Sequence, residues 1–107
     1  MARLQTETEG KQVQITVVGD VDAASIDEFS HALLGIAEGR PELVTVNAEK
    51  LDFIYSDGLA VFIELAARLK RTGGKLCIRR PSLHLRELLA ATRLDMLLPV
   101  VEVDARA

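Results

Sequence analysis

The chain has 107 residues, 49% of them apolar and 27% charged, with a net charge of −3 and a single cysteine. That length implies one domain, 1–107, whose core suffices for folding without staples. The negative balance argues against nucleic acid as the main partner. Lone Cys77 excludes an internal disulfide, and no stretch is suited to insertion in a membrane.

The start of the chain, residues 1–11, is polar and acidic and does not read as a signal peptide, so the expected location is cytoplasmic. Arg3 to Thr8 is a weak strand candidate. Gln12 to Val18 alternates, with Val13, Ile15 and Val17 on one side, which predicts a half-buried strand. Glu9-Gly10-Lys11 between them is a turn, so the two pair as an antiparallel hairpin. Gly19-Asp20-Val21-Asp22 is read as the end of the second strand. Ser25-Ile26-Asp27-Glu28 fits a capping box. The helix it opens carries Ile26, Phe29, Leu33, Ile36 and Ala37 at helical spacing, and Gly39 and Pro41 stop it.

Leu43 to Val46 is a short β-branched run, read as a buried strand. Leu51 to Tyr55 reads as a strand end and loop leading into the clearest helix, Ser56 to Thr72. At 100° per residue, Leu59, Phe62, Ile63, Ala66 and Leu69 share its core face. Asp57, Val61, Glu64, Arg68 and Arg71 fall opposite, and Glu64 with Arg68 is a favourable i, i+4 pair. Gly73-Gly74 ends that helix, Leu76 to Ile78 is a strand, and Pro81-Ser82 opens a helix with Leu85, Leu88 and Leu89 inward. Pro99 breaks it, and Val100 to Val103 is a final short strand. The order β-β-α-β-α-β-α-β implies an α/β fold with a mixed sheet, its hairpin antiparallel and its later strands parallel with right-handed crossovers.

Chemistry concentrates at Tyr55-Ser56-Asp57-Gly58-Leu59. A helix N-terminus presents unpaired N–H groups and a partial positive charge. Ser56 is the expected N-cap, and an exposed Asp57 in the first turn stabilises by roughly 0.3–1 kcal/mol. Capping accounts for both residues without any function. Gly58 is less ordinary, because glycine in a helix costs up to about 1 kcal/mol against alanine; a close approach by a neighbouring segment would explain it. Ser56 lacks a histidine to activate it. His31 and His84 have no ligand-like spacing, so neither a metal nor a cofactor is expected. Basic residues run from Arg68 to Arg80; they suit a solvated helix C-terminus and leave room for an acidic partner or anionic ligand.

In order and spacing, Val44-Thr45-Val46-Asn47, Phe53-Ile54-Tyr55-Ser56-Asp57-Gly58-Leu59-Ala60 and Gly73-Gly74-Lys75-Leu76 together resemble the STAS domains of bacterial anti-sigma-factor antagonists. Gly19-Asp20-Val21-Asp22, Arg80-Pro81-Ser82 and Thr92-Arg93-Leu94-Asp95 extend the likeness over nearly the whole chain. The resemblance implies a mixed four- to five-stranded sheet with three to four helices packed mainly on one face. It implies a non-catalytic domain that regulates transcription by partner switching. The partner would be an anti-sigma factor that is also a kinase-like ATPase, and it would phosphorylate the serine before the glycine to end binding. A homodimer also stays open.

Here that position is Asp57, while Tyr55 and Asn47 stand where relatives carry acidic residues. Three readings of Asp57 follow. It is used directly in a constitutive contact, which ranks first. It imitates phosphoserine with one charge in place of about −1.5 to −2. Or Ser56 is the acceptor, ranked last because a buried N-cap hydroxyl accepts phosphate poorly. The expected partner surface comprises Asp20, Asp22, Ser56, Asp57, Gly58, Val61, Glu64 and Arg68, with Val61 as an exposed apolar centre among charges. The alternative function is an accessory STAS subunit bound to the ATPase of an ABC-type lipid transporter.

Overall fold

A computed structural model describes residues 2–101. Strands β1 (Arg3–Glu9) and β2 (Gln12–Val21) form the expected hairpin, with Glu9 opposite Gln12 across the turn. Next come α1 (Ile26–Ile36), extended by a 3₁₀ turn at Ala37–Gly39, then β3 (Leu43–Asn47) and β4 (Leu51–Ile54). Helix α2 (Ser56–Arg71), β5 (Lys75–Arg79), α3 (Leu83–Thr92), a 3₁₀ turn at Leu94–Met96 and β6 (Val100–Val101) complete the order. The remainder of the predicted last strand, residues 102–103, lies outside the described residues.

The sheet runs β1-β2-β3-β5-β6, with β4 also paired to β2. Among the described residues only the β1–β2 pairing is antiparallel. The fold is the α/β mixed sheet that the sequence predicts, but with six strands among the described residues, because two expectations around residues 19–54 are corrected. Strand β2 does not end at Gly19. It shifts register between Gly19 and Asp20 and continues to Val21 alongside β4. Gly19 makes this possible with φ of +99°, a value that glycine adopts without a Cβ clash. Leu51 to Ile54, read as a strand end and loop, is therefore a strand in its own right.

One sheet face is apolar: Val13, Ile15 and Val17 of β2, Val44 and Val46 of β3, and Leu76 and Ile78 of β5 are all buried. The helices close over it. Phe29 of α1 meets Phe62 of α2 edge to face, centroids 5.6 Å apart and rings at 78°, a favoured aromatic geometry. On the other face Asn47 is a polar hub. Its amide donates to Gln14 Oε1 and Thr16 Oγ1, both at 3.3 Å, and its carbonyl accepts from Arg79 Nη1 at 3.3 Å. Cys77 is buried there, 3.5 Å from Thr45 Oγ1.

Helix starts follow two different rules. Ser82 caps α3 as expected, its Oγ accepting from Leu85 N–H at 3.3 Å. The capping box predicted for α1 does not form. Ser25 Oγ instead turns back, accepting from Asp22 N–H at 3.1 Å and donating to Asp22 Oδ1 at 3.1 Å. The loop before the helix thus captures the hydroxyl that the helix would have used.

Replacing Phe62 by alanine removes the fully buried ring that joins α1 to α2, and an unfolding titration should show a loss of about 3–5 kcal/mol.

Candidate functional site

The site is assembled where β2 and β4 end and α2 begins. Tyr55 N–H donates to Val21 O at 3.2 Å, which fixes the helix start to the end of β2. Tyr55, with φ −93° and ψ 175°, is the N-cap residue. Its carbonyl accepts from Gly58 N–H at 2.9 Å and Leu59 N–H at 3.2 Å, starting the helical ladder. Ser56, expected as the N-cap, is thus the first helical residue, and no side chain caps the helix. Its hydroxyl is on an exposed residue, which removes the burial argument against it as a phosphate acceptor.

Gly58 is buried beneath this turn. A Cβ there would lie 2.5 Å from Ile54 Cγ1 and 3.0 Å from Val21 Cγ1. The close approach predicted for this glycine comes from two strand side chains, and it seats the helix directly on the sheet.

Asp57 is exposed in the first turn, its carboxylate favoured by the positive end of a 16-residue helix. Tyr55 stands beside it, half-buried. Partial burial, then the charge and hydrogen bonding of Asp57, then the charges of Asp27 and Asp22, raise the Tyr55 phenol above its ordinary range. Three carboxylates therefore act on one phenol at this end of the molecule. Tyr55 and Asp27 are site members that sequence reasoning missed. Asp27 enters the sequence only as part of a capping box, and Tyr55 as a departure from a motif.

The predicted partner residues divide. Ser56, Asp57 and Glu64 are exposed, and Glu64 Oε1 pairs with Arg68 Nε at 3.2 Å. Asp22 belongs to the same corner, but its Oδ1 is occupied by the backbone N–H groups of Ala24 and Ser25, each at 3.2 Å. Asp20 precedes it on β2, paired in register with Phe53 of β4. Two residues are corrections. Gly58 is buried, so it positions the surface without forming it. Val61 is 7% exposed and belongs to the core, not to an outer apolar centre.

The reason for Val61 is angular. The buried stripe of α2 is Gly58, Leu59, Val61, Phe62, Leu65 and Leu69, while Ile63 and Ala66 are only half-buried. Val61 sits on the flank shared with Asp57 and Arg68, and α1 packs along that flank. A groove of about 410 Å³ between the two helices is lined by Asp27, His31, Leu34, Glu38 and Arg68, among others.

His84 stacks on Phe53, centroids 5.7 Å apart and rings at 21°. Among the described residues no group of three or more His, Cys, Asp or Glu side chains is arranged to hold a metal ion. Among them, too, no helix is long and apolar enough to cross a membrane.

A helix-over-mixed-sheet domain whose exposed α2 N-terminus is seated on the sheet by a buried glycine defines the class. The family model described as Mlab, STAS domain matches residues 4–100, and the chain belongs to that family. No curated protein sequence matches it. Among solved structures, an anti-sigma factor antagonist from Mycobacterium paratuberculosis is similar, with TM-score 0.86, 16% identity, and coverage of 96% of this chain and 87% of that one. A STAS domain protein from Planctomyces limnophilus has TM-score 0.84, 17% identity, and coverage of 99% and 94%. The phosphorylated form of the Bacillus cell fate determinant SpoIIAA has TM-score 0.75, 19% identity, and coverage of 94% and 92%. At these identities the likeness establishes the fold.

Two outcomes follow from the site. Gly58→Ala should lower stability: overpacking costs about 1–3 kcal/mol, more than the roughly 1 kcal/mol that alanine recovers by helix propensity. A lower denaturation midpoint checks this. Tyr55 is the one tyrosine of the chain, so an ultraviolet pH titration reports it alone. Its midpoint should lie above that of a free phenol and move back toward it in Asp57→Asn. Because the folded phenol holds its proton more tightly, its contribution to stability is intact below the ordinary phenol pKa and declines as pH rises through the raised one.

Proposed function

We propose that this chain is a non-catalytic, protein-binding regulatory domain of a partner-switching pathway. It acts in the manner of an anti-sigma-factor antagonist whose contact is not gated by phosphorylation before Gly58. The observation that carries this reading is the exposed Asp57 carboxylate in the first turn of α2, with Tyr55 beside it and Asp22 and Asp27 nearby. Family membership and the fold of solved antagonists support the class.

A carboxylate at this point cannot receive a phosphate from a serine kinase. It carries one charge, against about −1.5 to −2 for a phosphoserine, and it lacks the three phosphate oxygens. It is thus a weak imitation of the modified state and a serviceable permanent contact. The partner face consists of Ser56, Asp57 and the Glu64–Arg68 pair, with Asp20, Asp22 and Asp27 bordering it. Its predominantly acidic character suits a partner with a cationic surface, since complementary charge speeds encounter and excludes wrong partners. The expected partner is an anti-sigma factor with a kinase-like ATPase fold.

The second reading, an accessory subunit held on the ATPase of an ABC-type lipid transporter, is favoured by the same residue. Constitutive association needs no modifiable hydroxyl.

A pull-down from native extract, with and without ATP, tests both. Wild-type protein should capture a histidine-kinase-like ATPase equally well in the two conditions. Asp57→Lys should abolish capture, paired charge reversal at Glu64 and Arg68 should weaken it, and Asp57→Ser should make it ATP-sensitive. Capture of a transporter ATPase would move the assignment to the second reading. Loss of wild-type binding on adding ATP, with phosphate on Ser56, would refute constitutive contact.

A further inference from the structure

We propose that the end of the molecule remote from Asp57 is a docking groove for an acidic, amphipathic segment of a partner protein. Lys70 lies thirteen residues after Asp57 on α2, about 20 Å along the axis at 1.5 Å per residue. At 100° per residue, Ala66 and Lys70 also fall on the opposite side of α2 from Glu64 and Arg68, so the two surfaces are separate and this inference does not draw on the role of Asp57.

The groove has a volume of about 400 Å³ and lies between the last turns of α2, the start of β5 and the segment before β6. Ala66, Leu76, Leu97 and Pro99 supply its apolar lining, and Lys70 and Lys75 line it with their long side chains. Both lysines are exposed, and neither forms an ion pair among the described residues.

The local chain conformation displays the Leu97 side chain at the groove. Leu97 N–H and Leu98 N–H both donate to Leu94 O, at 3.0 and 2.8 Å, closing a tight turn. Leu98 is fully buried and anchors that turn, which leaves Leu97 60% and Met96 81% exposed. An exposed apolar residue that lines an apolar hollow, with a second exposed beside it in the chain, marks a contact site more strongly than scattered ones do.

Charge selects the occupant. The chain is acidic overall, yet the charged residues that line the groove, Lys70 and Lys75, are both basic. Two lysine ammoniums beside an apolar trough complement a helix that carries leucine-like side chains on one stripe and carboxylates on its flanks. A trough receives protruding side chains, whereas a bilayer surface would rest on its rims. A protein segment is therefore favoured over anionic lipid.

The test uses a short synthetic helical peptide with leucine on one stripe and glutamate on both flanks. A control peptide carries lysine in place of glutamate, and a parallel arm uses phosphatidylglycerol vesicles. Amide resonances of the isotope-labelled protein are followed during each titration. The acidic peptide should shift Leu76 and Leu97 but not Asp57, and the lysine peptide should shift neither. Lys70→Glu with Lys75→Glu should weaken the acidic peptide about tenfold or more, as should Leu97→Ser, with resonance dispersion retained to report the fold. Asp57→Lys should leave peptide affinity unchanged while removing the capture described above, so the two surfaces fail independently. The proposal is overturned if the acidic peptide leaves Leu76 and Leu97 unmoved, or if charge reversal has no effect. It is also overturned if vesicles bind the protein and the peptide does not.

Discussion

The missing side chain at position 58 governs the geometry of the site. With no Cβ there, the first turn of α2 rests against Ile54 of β4 and Val21 of β2, and the Tyr55 backbone can bond to the end of β2 while starting the helix. Any larger residue would lift the helix start away from the sheet. Lifting it would separate Asp57 and Tyr55 from Asp22 and Asp27, which come from the preceding strand and loop and from α1. The acidic corner is thus a consequence of close packing beneath it. The charges on top are placed by a residue that makes no polar contact through a side chain.

Much of this architecture is legible from periodicity and punctuation. The hairpin, the three helices and the Gly73-Gly74 stop follow from alternation, helical spacing and turn residues, and their order carries the family likeness. What sequence reasoning misplaced has a common origin in tertiary contact. Val61 lies at the margin of the apolar stripe, and its burial depends on α1 covering that flank, which a single-helix projection cannot contain. Ser25 has two possible partners, the α1 backbone and the Asp22 loop, and local hydrogen-bond competition decided for the loop. Strand β4 consists of four residues, and its pairing exists only because Gly19 lets β2 shift register and continue.

The site was partly legible. Asp57 and Gly58 stand out by departure from a pattern and by helix propensity. Tyr55 does not, because its significance lies in three carboxylates brought near it from different elements. Along α2 the charges are sorted, acidic at the first turn and basic at the last. Both ends thereby complement the helix dipole. The same arrangement gives the molecule two faces of opposite character, so that partners of opposite charge would approach it from different directions.

Strand β2 has a further role in how the chain reaches its native state. It is bonded to β1 within a short hairpin, and to β3 and β4, which lie some thirty residues further along the chain. The first pairing closes a small loop and is kinetically inexpensive. The other two must wait until α1 has been folded back, with the larger loop-closure entropy this entails.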